Sequence, residues 1–169
     1  MLIDQFNKTI DDWISLLDHY SFDELLKKPD PESWSLGQVY KHLVNETRYY
    51  ISQVEECLET NDHAMEKMKV NGVTMLSNNA FPDMRIKGEP DSIAKIQQPA
   101  SQAQLKQEMA DLKIAMNNLW KRIIMSPAVG KTMHPGLGYF NAMEWFQFAE
   151  MHLRHHFRQK NRIEEEIGR

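Results

Sequence analysis

Between Asn141 and Ile163 the chain reads NAMEWFQFAEMHLRHHFRQKNRI, and no other stretch limits the fold as strongly. Ala142, Trp145, Phe146, Ala149, Leu153, Phe157 and Ile163 recur in small helical steps, so at about 100° per residue they share one broad face of an α-helix. A helix with so wide an apolar face has to bury it against other elements. Three histidines fall inside the same stretch. His156 projects within the apolar face, His152 lies about 40° from it, and His155 lies about 100° from it on the polar flank. His152 and His156, four residues apart, can therefore aim their rings at one point, as helices do when imidazoles hold Zn, Ni, Fe or Cu. Alone, this spacing fits hydrogen-bonded structural histidines equally well, and a metal site needs a third ligand.

The rest of the chain supplies partners for that face. Ile3, Phe6, Ile10, Trp13, Ile14 and Leu17 predict a first helix over 3–19. Ser21 and Glu24 form a capping-box pattern for a short helical turn that Pro29 and Pro31 end. Ser35 with Gln38 opens a second long helix, 36–59, carrying Leu36, Val39, Tyr40, Leu43, Tyr50, Ile51, Val54 and Leu58 on one side. His42 lies beside that stripe, about 60° from Val39, with Glu46 one turn further on. From 61 to 100 the apolar period decays among turn signals. A short helix near 64–69 is the one element expected there, and a connection of this length suits a crossover better than a hairpin. Ser101 with Gln104 opens a third long helix, 102–125, ended by Pro127 and Gly130, and Asn141 with Glu144 opens the fourth, 142–166. No alternating strand pattern competes. The expectation is one all-α domain over 1–169, a four-helix bundle with a long crossover between its second and third helices.

Composition narrows the function. The chain has 169 residues, 41% hydrophobic and 26% charged, enough for one substantial core. Its formal charge of −4 provides no basic field for phosphates, which argues against nucleic acid. The single cysteine, Cys57, cannot form an internal disulfide. The N-terminal residues lack the basic and apolar regions of a signal peptide, and no apolar run is long enough for a membrane span. A soluble, cytoplasmic protein is expected.

Two segments carry a family resemblance. SWSLGQVYKHLVNE, with Trp34 before the second helix and His42 inside it, and HPGLGYFNAMEWFQFAEMHLRHHFRQ, with its His-Pro-Gly loop, Trp145 and the H-x-x-x-H-x-x-Q run, resemble the DinB-like superfamily. That superfamily includes metal-dependent hydrolases and thiol-dependent transferases and isomerases. The resemblance implies a four-helix bundle with a crossover after the second helix. It also implies a divalent metal, Zn or Ni before Mn, Fe or Co, held by His42, His152 and His156. A three-histidine site with open positions is of the catalytic type. Glu46 is the nearest candidate general base, and its other reading is a solvated helix carboxylate. Gln159, one turn beyond His156, is placed to hydrogen-bond a ligand ring. His155, His134, His19 and His63 are left outside the site.

Two functions compete. The first is an enzyme acting on a small molecule, by hydrolysis or by transfer of a low-molecular-weight thiol; on either reading a homodimer is an expectation from the resemblance, since bundles of the family often pair through helix faces. The second is a non-enzymatic role in metal binding or in a stress-response interaction.

Overall fold

The computed structural model describes residues 1–82 and 96–169. Helix α1 spans Leu2–Leu16 and tightens into a 3₁₀ turn at Leu17–His19, and α2 is the short Phe22–Leu26. Then come α3 at Leu36–Glu59, α4 at Val70–Ser77 and α5 at Gln102–Met125. A two-stranded hairpin, β1 at Lys131–His134 and β2 at Gly138–Asn141, leads into α6 at Ala142–Ile167. The fold is mostly helical. With the 3₁₀ turn counted into the first, the four long helices lie within one residue of the ranges read from the sequence.

Capping explains why the helices start where they do. Ser21, Ser35 and Asn141 each accept from the backbone N–H three residues on, while Glu24, Gln38 and Glu144 return the bond. The fourth box closes on one side only. Ser101 Oγ accepts from Gln104 N, but the Gln104 side chain reaches past Ser101 and takes the N–H of Ala100 instead, at 3.2 Å. At its far end α6 stops on Gly168, whose φ of 81° is the left-handed conformation that ends many helices.

Trp13 shows how the helices are joined. Its ring stacks on Phe157 of α6 at 4.5 Å and meets Tyr40 of α3 edge-on at 5.0 Å. Its indole N–H donates to the Leu153 carbonyl, and Tyr40 Oη donates back to the Trp13 carbonyl. Phe6, Ile10, Val39, Leu43, Leu105, Met109, Met116, Phe146 and Leu153 fill the same interior at 0% exposure. Each large side chain buried this way contributes on the order of 2–3 kcal/mol. The buried Met109 and Met116 fill gaps in this packing.

Two expectations are corrected. The segment before α6 is a β-hairpin, not an irregular loop, pairing Thr132 with Phe140 and Met133 with Tyr139. Each strand has four residues, too few for alternation to stand out. Trp145 Nε1 donates to Thr132 Oγ1, and the Cys57 thiol donates to the Phe140 carbonyl, which seats the hairpin on α6 and α3. The short helix expected near 64–69 is absent from that position and lies instead at Val70–Ser77. Residues 67–69 are held extended along the hairpin. Lys69 N donates to the Leu137 carbonyl and Tyr139 N to the Lys67 carbonyl, while Met68 bridges to Gly138. Gly138 has φ 86°, and a Cβ there would stand 2.8 Å from Lys69 N, so this junction requires glycine. The middle of the 61–100 connection, residues 83–95, lies outside the described residues.

Candidate metal centre

The face α6 turns toward α3 carries the histidines. His152 and His156 are 7% and 8% exposed, and His42 on α3 is partly exposed. Their Nε2 atoms converge: His42 to His152 at 3.2 Å, and His156 to His152 at 3.0 Å. The three rings offer donor atoms that all lie within 4.8 Å of one another. Imidazole nitrogens about 2.0–2.1 Å from a tetrahedral zinc stand roughly 3.3 Å apart, close to the two short separations here.

The proton inventory shows what this arrangement lacks. His156 Nδ1 lies 2.7 Å from Gln159 Oε1. The amide oxygen can only accept, so His156 carries its proton on Nδ1 and points an Nε2 lone pair at His152. His152 Nε2 has a ring nitrogen on either side, and its own Nδ1 is buried without a partner. With its proton on Nε2, His152 satisfies one neighbour only. With the proton on Nδ1, it buries an unpaired donor and turns one more lone pair toward the others. A cation at the convergence point removes that conflict at Nε2, since every lone pair then has something to bind.

Burial keeps the rings neutral, as ligands must be. Desolvation lowers His42 from the usual 6.5 to about 4. Desolvation and then the nearby His42 lower His156 to about 3, against the opposing bond to Gln159. Desolvation and then the neighbouring histidines hold His152 well below the ordinary value. At neutral pH no proton competes strongly for these nitrogens.

The remaining sequence candidates fall at different removes from this point. Gln159 contacts His156 directly. Glu46 reaches the site through Tyr50. Its Oε2 accepts from Tyr50 Oη at 3.2 Å, and the Tyr50 ring stands edge-on to His152 at 5.5 Å. His155 does not share the convergence point, and its ring packs on Phe81 at 5.0 Å. His134 packs among Phe140, Trp145 and Phe148, with Nδ1 accepting from Gly136 N. His63 packs at a tilt against Tyr139, and the His19 carbonyl accepts from Arg169.

Sequence reading noted Trp34 only as part of the family resemblance and missed the other rings around the site. Trp34 lies 4.9 Å from His42, and Phe81 lies 6.2 Å from His152. Phe148 backs Phe81 and Tyr50. For Phe148 a signal existed: it stands one helical turn before His152, on the same side. For Phe81, inside the aperiodic connection, there was none. Another buried polar group was also missed, Glu150 at 1% exposure, paired with Arg154.

The family comparison bears on this geometry. A family model described as the DinB superfamily matches residues 5–159. No match was found among curated proteins or among solved structures. Among the described residues no helix is long and apolar enough to cross a membrane. The matched region takes in nearly the whole chain, including the three converging histidines, and the chain therefore belongs to the DinB superfamily.

Proposed function

We propose that this protein is a divalent-metal-dependent enzyme acting on a small molecule, by hydrolysis or by transfer of a low-molecular-weight thiol. The metal is held by His42, His152 and His156. The convergence of three imidazole Nε2 atoms on one point, where no arrangement of their own protons gives every lone pair a donor, carries the reading. Three imidazoles suit Zn or Ni first, then Fe, Co or Mn. The scaffold is proposed to be a single four-helix bundle of α1, α3, α5 and α6, with the 61–100 connection as its crossover.

The residues divide the work. Gln159 holds the His156 ring by Nδ1, so that Nε2 faces the ion. Tyr50 fixes one oxygen of Glu46, and the carboxylate is the candidate acceptor for a proton released by an incoming water or thiol. When bound, the metal supplies Lewis acidity toward that water or thiol. The buried rings of Tyr50 and Phe148 exclude bulk water behind the histidines.

The test is elemental analysis after mild purification, followed by assays of thiol consumption with epoxides or halogenated acetamides and of ester or amide hydrolysis. Bound metal with turnover in either assay supports the proposal. Bound metal with turnover in neither favours the non-enzymatic metal-binding role. A chain that takes up none of Zn, Ni, Mn, Fe or Co contradicts both and leaves an interaction protein.

A further inference from the structure

The aromatic rings that touch the histidines are of two kinds. Tyr50 and Phe148, at 4% and 3% exposure, belong to the core behind the site. Trp34 and Phe81 are only partly buried, as are His42 and His155, the histidines they lie against. Each ring keeps part of its surface exposed, Trp34 beside His42 at 4.9 Å and Phe81 at 6.2 Å from His152.

Both are held in place. The Trp34 ring packs on His42, and its indole N–H is shielded from water without an acceptor, so ring contact rather than a hydrogen bond positions it. Phe81 is fixed through the chain just before it. Gln147 Nε2 donates to the Leu76 carbonyl at 2.9 Å and to Asn79 Oδ1 at 3.1 Å, while Arg154 Nη2 donates to the Asn79 carbonyl at 2.9 Å. Arg154 is itself anchored by the buried carboxylate of Glu150. Asn79 adopts a left-handed φ of 48°, a conformation that asparagine tolerates better than most residues. These bonds to α6 hold Phe81 beside the site before any ligand arrives.

We infer that the ligand taken at the open side of the histidine cluster bears a flat aryl group next to its metal-binding atom, received against the Trp34 and Phe81 rings. The inference rests on the metal-site reading above and adds the substrate class. Ring walls prefer a flat aromatic partner, in offset or edge-on contact, over a puckered aliphatic one of equal size, by about 2- to 10-fold per ring. Simple hydrophobicity would give the opposite order, because a saturated ring is the more apolar.

The experiment uses the full chain loaded with Co(II), whose visible spectrum reports a thiol entering the coordination sphere. Phenylmethanethiol and cyclohexylmethanethiol share the donor and the carbon skeleton and differ in ring flatness. Wild type is expected to bind the phenyl compound about 5- to 10-fold more tightly. Phe81→Leu should cut that preference at least twofold with cobalt content unchanged, Phe81→Tyr should keep it, and Trp34→Leu should lower it in the cobalt-loaded fraction. Equal or reversed affinities in wild type, or a Phe81→Leu variant with full preference, overturn the inference while leaving the metal site standing. Failure to take up cobalt overturns both.

Discussion

Helix α6 buries two polar clusters two residues apart in sequence, on nearly opposite sides, and they are built on different terms. On the side toward α1, Glu150 is closed within the chain. Its carboxylate accepts from Thr9 Oγ1 at 2.9 Å and takes a two-point bond from Arg154, at 3.0 and 2.8 Å. On the side toward α3, the histidines are left open, with lone pairs crowded at 3.0–3.2 Å and a buried nitrogen unpartnered. Burial alone therefore does not mark a functional group. The distinguishing feature is whether the chain completes the hydrogen-bonding inventory of what it buries.

The contrast can be broken first on the histidine side. His152→Ala should lower divalent-metal affinity by about a thousandfold, more than the roughly 10–100-fold that loss of an outer hydrogen-bond partner costs. It should leave the far-ultraviolet circular dichroism helical, because the apolar interior is independent of the site. A variant that unfolds on losing its metal would mean that the site is structural.

Next comes the closed cluster. Arg154→Ala strands a buried carboxylate with Thr9 as its remaining partner and should cost about 3 kcal/mol of stability, read by denaturant unfolding. Metal content should not change. Loss of metal in this variant would show that the two clusters are one unit.

A smaller effect is expected at Gln159. Gln159→Leu removes the acceptor that fixes the His156 tautomer and should weaken metal binding roughly 10–100-fold, measured by competition with a chelator. Unchanged affinity would remove Gln159 from the site.

The pH dependence of the metal-free protein sharpens the same point. The buried histidines resist protonation down to about 4 for His42 and about 3 for His156, while in the unfolded chain they titrate near 6.5. Between those limits the unfolded state binds more protons. Their contribution to stability is complete above about 6.5 and is lost as pH falls toward 3–4. The melting temperature of the metal-free chain should drop between pH 7 and 4, and less so in a His42→Leu, His156→Leu variant. An equal drop in both would detach the histidines from the acid sensitivity.

How much of this the sequence carried depended on period. His152 and His156 were legible because a four-residue step places both on a face whose other members are apolar. His42 was legible beside a matching stripe, and the helix starts were legible as capping pairs. Glu150 was not, because a charged residue reads as solvent-facing unless its partner is known, and Thr9 is distant in sequence. Phe81 was hidden for a different reason: the bonds that place it, from Gln147 and Arg154, run to carbonyls whose position no periodicity records. The hairpin escaped because four-residue strands are shorter than the pattern that announces them.

The most direct test of the central claim is the metal-to-protein ratio of the alanine variants at His42, His152, His155 and His156, each loaded with zinc and desalted. About one zinc per chain is predicted for wild type and for His155→Ala, and close to none for the other three. If His155→Ala loses the zinc while His156→Ala keeps it, the ion is held on a different face of α6 and the site described here is wrong.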